Sequence, residues 1–148
     1  MKGVLAIDTA GPVVGVGYYD PQQSRCWEQR IVRGTEKVLF NVLQGFLEDC
    51  SFDLVAVTVG PGAFTSLRVG VSTALGLAMS RGLGVVPVSS LLARASLVRQ
   101  ANTLALLDAR KSRVYAQLFH ADQHPPKPLT AEADAPLEEV IPKGPFWA

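Results

Sequence analysis

The chain has 148 residues, 48% of them hydrophobic and 18% charged, with a formal net charge of +1. That length can bury one good core, which suits one domain plus a fragment better than two complete domains, and the composition excludes a disordered chain. So small a net charge provides no field strong enough to argue for direct binding to nucleic acid.

Two cysteines, Cys26 and Cys50, stand far apart with no Cys-x-x-Cys spacing, and idle thiols in a reducing compartment are expected. The apolar run at the amino terminus is cut short by Asp8, and the longest apolar tract, Leu67 to Met79, is interrupted by glycines. Neither has the length of a signal peptide core or a membrane span, so a cytoplasmic protein with no membrane association is expected.

Residues 3 to 8 read as a first strand, and Thr9-Ala10-Gly11-Pro12 as a tight turn into a second strand from Val13 to Tyr19. A third strand follows over 25 to 32, around Trp27 and Ile31. The spacing of Val38, Leu39, Val42, Leu43, Phe46 and Leu47 predicts a helix over Glu36 to Glu48, with Thr35 as its cap. The run Leu54 to Val59 is apolar without alternation, as expected of a strand buried on both faces.

Gly60-Pro61-Gly62 ends that strand, and Thr65 or Ser66 offers an oxygen to cap the helix expected from Thr65 to Arg81. A strand, a glycine corner and a helix start aim backbone N–H groups at one point. That suits a phosphate or carboxylate, and equally it can simply turn the chain. A strand over Gly84 to Val88 and a helix from Ser89 to about Gln100 complete this half. After Asn102 the pattern restarts with strands at Thr103 to Asp108 and Arg113 to Phe119, followed by a proline- and acid-rich stretch and a short strand expected at Glu139-Val140-Ile141.

The order βββαβαβα is that of the ribonuclease-H-like lobe shared by actin, Hsp70 chaperones and sugar kinases, although periodicity alone leaves an ordinary doubly wound domain as a competitor. The expected division is a lobe over residues 1–101 and an incomplete second lobe, a hairpin and tail, over 102–148.

Three segments sharpen this reading. GPGAFTSLR from Gly60 to Arg68, LAIDTA from Leu5 to Ala10 and LLDARKSRVYAQLF from Leu106 to Phe119, with the run Pro87 to Leu91, resemble the TsaB (YeaZ) family in that family's order. The resemblance implies the same α/β lobe and a non-catalytic part in making threonylcarbamoyladenosine on tRNA. The implied partners are a TsaD-like catalytic subunit and a TsaE-like ATPase, with a homodimer in isolation and tRNA engaged only indirectly. No cofactor is expected to be tightly bound; ATP or ADP would sit at the interface with the partner. The family's second lobe continues further, so a short or truncated member is expected here.

The residues that could touch a phosphate are Asp8, Gly60, Gly62 and Thr65. Kinase-like relatives use an aspartate at the end of the first strand, yet the turn after Asp8 has one glycine, and Pro12 removes a donor, so a turn-capping aspartate competes. Asp108 is its counterpart in the second half. TsaD carries two metal-binding histidines four apart, and the matching positions are Ser90 and Arg94, so neither metal ligands nor catalytic residues are assigned. His120 and His124 are also four apart but lie beside Pro125 and Pro126, which disfavour a shared helix face. Ser66, Ser72 and Ser89 have no histidine nearby in sequence, and Arg110-Lys111-Arg113 reads as a solvated hairpin tip that could touch phosphate.

The helix after the glycine corner is apolar around its circumference, with Gly70 and Gly76 inside it. Each interior glycine costs about 1 kcal/mol against alanine, so close approach of another backbone is expected to offset it. A helix apolar all round is buried inside its own domain or under a partner, and composition alone favours the first. The resemblance instead assigns a partner interface to Leu67, Gly70, Val71, Ala74, Leu75 and Ala78 on this helix and Leu39 and Leu43 on the one before. On that reading, arginine in place of Ala74 weakens association more than folding. The alternative function is an ATP-dependent phosphotransferase or nucleotide-binding protein of the actin and sugar-kinase type, and a hydrolase of the peptidase type, which needs a metal or a nucleophile, is a third class.

Overall fold

The structure, a computed structural model, describes residues 2–141. It divides into two compact units, Met1–Val59 with Ala63–Val88 and Gly60–Gly62 with Ser89–Ala148. The boundary after Val88 differs from the expected division at residue 101, because the helix that follows packs with the second unit.

The first unit is a five-stranded sheet in the order β3-β2-β1-β4-β5 with helices α1 (Thr35–Asp49) and α2 (Phe64–Arg81). Strands β1 (Val4–Asp8), β2 (Val13–Tyr19) and β3 (Ser24–Arg30) form an antiparallel meander, and β1 pairs in parallel with β4 (Leu54–Gly60). Strand β5 (Gly84–Ser89) forms the other edge. Register places Leu5 opposite both Tyr18 and Val55, and Ile7 opposite both Val16 and Val57, so these side chains share one face. They close a core with Leu39, Leu43 and Phe46 of α1 and Ala74 and Ala78 of α2. On the opposite face Ala6 is exposed and Gly15, Gly17 and Ala56 are half-buried. The expectation that β4 is buried on both faces is therefore corrected: Val55 and Val57 are buried, but Leu54 and Ala56 are only half-buried and Val59 is exposed.

Neither expected helix cap is used. Helix α1 starts after Gly34, whose left-handed φ of 77° makes the entry turn while Thr35 is already helical, and α2 starts after Ala63 without a side-chain cap. Both the Thr65 and the Ser66 hydroxyls are thus excluded as the cap of α2.

In the second unit, β6 (Thr103–Arg110) and β7 (Arg113–His120) form a hairpin. The far edge of β7 takes two short strands, β8 (Lys127–Pro128) and β9 (Ala133–Pro136), neither of which the proline-rich sequence announced. Helix α3 (Ser90–Ala95) is shorter than the helix expected to Gln100. Its turns tighten after Ala95, where Leu97 and Val98 donate to carbonyls three residues back and the Ser96 hydroxyl donates to Leu92. Leu91 and Ala95 pack on Ala105, Leu107 and Phe119. The strand expected at Glu139 to Ile141 is instead a helical turn, α4 (Leu137–Val140), which Pro136 opens and whose first-turn Glu138 and Glu139 suit a helix start. Residues 142–148 of the expected tail lie outside the described residues.

Candidate functional site

The end of β1 is held by a small, partly buried hydrogen-bond cluster. The Thr58 hydroxyl donates to Asp8 Oδ1 at 2.8 Å, and the Ala10 N–H donates to the same oxygen at 3.0 Å. The Asp8 carboxylate thereby closes its own turn. Thr9, fully buried, accepts nothing from solvent: its hydroxyl donates to the Ser66 carbonyl at 2.8 Å, and its N–H meets Thr58 Oγ1 at 3.4 Å. The Ala63 N–H donates to the Ala10 carbonyl at 2.9 Å. Together these bonds latch the first turn of α2 to the end of the central strand.

The latch explains one of the two helix glycines. A Cβ on Gly70 would lie 3.1 Å from Thr9 Cγ2 and 3.2 Å from Thr9 Cβ, and nearer still to Oγ1. The close neighbour is thus a side chain of the same chain and not a second backbone. Sequence reasoning passed over Thr9; its signal was a threonine where the β1 turn faces the glycine corner. Gly76 differs, because nothing lies within 4 Å of its added Cβ and the residue is exposed.

Helix α2 sorts its side chains by size. Gly70, Ala74 and Ala78, spaced four apart, are the buried stripe, with Ala74 at 0% exposure. The outer surface carries Phe64, Leu75 and Met79, the last at 82% exposure. Of the interface residues expected from sequence, Gly70, Ala74, Ala78 and Leu39 are therefore core and cannot meet a partner. Leu67 and Val71 are half-buried, Leu75 is exposed, and Leu43 is buried at the floor of a groove. Arginine at position 74 would break the core and not an interface.

That groove, about 720 Å³, runs between α1 and α2 and is lined by Phe40, Leu43, Leu47, Gly76, Leu77 and Arg81 among others. Phe40 stands 62% exposed at its rim. A smaller concavity of about 450 Å³ continues beside it along Phe40, Thr65, Arg68 and Ser72. The Arg68 guanidinium lies over the Phe64 ring, 5.4 Å from its centroid. Thr65, expected as a phosphate contact, is thus on the exposed flank of α2.

Gly60 has φ 120°, a backbone state that side chains rarely adopt, which accounts for glycine at the corner. In the second unit, Ser90 is fully buried and its hydroxyl has no partner among the described residues, while Arg94 Nη1 donates to the Ser90 carbonyl at 3.1 Å. His120 Nε2 lies 3.1 Å from Asp122 Oδ1. Asp108 accepts from the Arg110 N–H at 2.7 Å, so it too closes a local turn. Among the described residues no three His, Cys, Asp or Glu side chains converge as a metal would require, and no helix is long and apolar enough to cross a membrane.

A family described as TsaD, tRNA N6-adenosine threonylcarbamoyltransferase, matches residues 24–143. An uncharacterized protein of Mycobacterium leprae is 36% identical over 125 residues, covering 78% of this chain and 34% of its own length. The tRNA threonylcarbamoyladenosine biosynthesis protein TsaB of Haemophilus influenzae is 32% identical over 124 residues, 76% of this chain and 51% of that protein. The chain thus spans about half the length, or less, of these curated relatives. The solved structure of YeaZ from Pseudomonas aeruginosa superposes with a TM-score of 0.85 at 27% identity, over 98% of this chain and 72% of that one. The fold is accordingly ribonuclease-H-like, of the actin type, and the chain belongs to the TsaD family of tRNA N6-adenosine threonylcarbamoyltransferases on its TsaB (YeaZ) branch.

Proposed function

We propose that this chain serves tRNA threonylcarbamoyladenosine synthesis as a non-catalytic subunit that docks on a TsaD-like transferase through the outer face of α1 and α2. One observation carries the reading. Helix α2 keeps a glycine, Gly76, in its interior with no neighbour in its own unit, beside the exposed side chains of Phe40, Leu75 and Met79. An interior glycine on a helix surface disfavours the helix by about 1 kcal/mol, and a second helix seated in the groove recovers it by close approach. Large exposed apolar groups around such a groove mark an interaction surface. The names of the relatives supply the pathway.

The same reading takes in a TsaE-like ATPase, self-association in the absence of the partner, a cytoplasmic location and ATP or ADP at the shared interface, with no cofactor held tightly by this chain alone. The phosphotransferase alternative draws no support from the end of β1, where the Asp8 carboxylate oxygen Oδ1 is occupied by Thr58 and the turn N–H.

Met79→Glu and Gly76→Arg test the docking. Both change exposed positions, so the melting temperature should stay within a few degrees of the parent while capture by the TsaD-like subunit of the same organism falls at least ten-fold. Undiminished capture by both variants refutes the docking face.

A further inference from the structure

The hairpin joining β6 and β7 is strained in a way its sequence does nothing to relieve. Arg110, Lys111 and Ser112 all adopt left-handed backbone, with φ of 65°, 51° and 60°. A two-residue turn of this hand is made most easily by Asn-Gly or Asp-Gly, and side chains with a Cβ resist it. Here the turn centre is Lys-Ser, and the register between the strands shifts between Asp108 and Arg110. Non-glycine residues persist in such a state only where the surroundings fix them, and they gather at ligand-contacting positions.

The surroundings do fix this tip. Asp108 Oδ1 accepts the Arg110 N–H at 2.7 Å on one strand. On the other, Arg113 Nε pairs with Asp134 Oδ1 of β9 at 2.8 Å, and its Nη2 donates to the Asp134 carbonyl. Arg113 is thereby neutralised. Arg110 and Lys111 are exposed and form no ion pair among the described residues. No apolar side chain stands among residues 110 to 113, so the tip lacks the water-excluding ring that a tight protein contact needs. What it presents is two exposed cations on a backbone held in place.

We propose that this tip contacts the phosphodiester backbone of RNA through the Arg110 guanidinium and the Lys111 ammonium; the choice of RNA rests on the tRNA-linked reading above. Two cations on a chain of net charge +1 hold an RNA weakly, so binding by this chain is confined to low ionic strength and is not carried by any long-range field. A phosphate contact also fits the chemistry of a guanidinium fork beside a point charge.

The test titrates a labelled, unmodified tRNA transcript into the full chain over a range of potassium chloride, read by fluorescence anisotropy. Arg110→Gln with Lys111→Gln should weaken binding and lower the slope of log affinity against log salt by about 1.5, the share of two phosphate contacts. Arg110→Lys with Lys111→Arg should keep the parent slope. Lys111→Gly should bind more weakly yet melt about 2–4 °C higher, because strain is removed with the charge. Absence of measurable binding at low ionic strength, equal slopes in the parent and the glutamine variant, or displacement of the RNA by inorganic phosphate at matched ionic strength would each overturn the proposal. Capture by the TsaD-like subunit is measured on the same variants: retained capture with an unchanged salt slope sinks the hairpin contact alone, whereas lost capture by the Met79 and Gly76 variants bears on docking alone.

Discussion

Alanine at the two interior glycines of α2 should shift stability in opposite directions. Helix propensity favours alanine at both by about 1 kcal/mol. At Gly76 the new methyl meets nothing within 4 Å, so Gly76→Ala keeps that gain, worth a rise of about 2–4 °C in melting temperature for a chain of this size. At Gly70 the methyl would enter the space of Thr9, 3.1 Å from its Cγ2, and Thr9 is buried and tied to the Ser66 carbonyl at 2.8 Å. Overpacking costs about 1–3 kcal/mol, and a displaced hydroxyl that leaves a buried acceptor unmet costs about 1–3 kcal/mol more. Set against the propensity gain, Gly70→Ala should destabilise by about 1–5 kcal/mol. Urea unfolding of the parent and both variants measures this, with the midpoint moving and the slope unchanged. Thr9→Ala should cost less in the Gly70→Ala background than in the parent, by about 1 kcal/mol or more, since the two side chains share one space. A Gly70→Ala variant as stable as the parent, or two glycine variants that shift together, would show that the latch does not hold the helix.

Other consequences are open to direct measurement. Phe119→Ala removes the largest fully buried side chain among the described residues of the second unit and should cost about 3–5 kcal/mol by chemical denaturation; a cost below 1 kcal/mol would mean that this core does not close. Ser89 accepts the Leu92 N–H at 3.3 Å as the cap of α3, so Ser89→Ala should lose about 1 kcal/mol while Ser89→Asp should lose little, read in the same assay. The Tyr18 hydroxyl donates to Asp20; this bond, with burial adding to it, pushes the phenol up to about 12, and the same bond, with the Gln22 N–H and against burial, draws the Asp20 carboxyl below its ordinary value. The raised phenol contributes stability that is complete below pH 10 and lost as pH rises towards 12; the lowered carboxyl contributes stability present above its ordinary value of 3.8 and lost as pH falls through the lowered one. Tyr18→Phe should flatten both limbs of melting temperature against pH, and an unaltered alkaline limb would exclude the pair as their source. Ala74→Arg should unfold the first unit outright, in contrast to Met79→Glu five residues further along, and circular dichroism separates the two.

The element order was legible because each strand and helix carries a strong local period: the Val38 to Leu47 spacing, the β-branched run before Gly60, and the two aspartate-ended strands. Where the reading erred, a tertiary partner outweighed the local signal. Thr35 and Thr65 are competent caps by type, but Gly34 and Ala63 set the entry angles, and the first turn of α2 is held from outside by Thr9 and Ala10. Lys127–Pro128 and Ala133–Pro136 lack any strand period and pair because β7 offers them a free edge. Glu139 to Ile141 is too short a run for its pattern to separate a strand from the helical turn α4 that forms there. Asp8 and Gly60 were legible as turn chemistry from their types alone.

The case of α2 shows why apolarity around a helix does not locate an interface. Hydropathy ranks Leu75 and Met79 above Gly70 and Ala74, so a reading by scale expects the large residues inside. The sheet allows the reverse, because a stripe of glycine and alanine brings the helix axis close to β1 and leaves no room for longer side chains. The large residues are then the ones left outside, where they face water at a cost unless something covers them. Burial inside the chain and exposure to solvent, where the proposed docking falls, are in this way divided between two faces of the same eighteen residues, Phe64–Arg81. A substitution that probes association therefore belongs at Phe64, Leu75, Gly76 or Met79, and one at Gly70, Ala74 or Ala78 reports only on the fold.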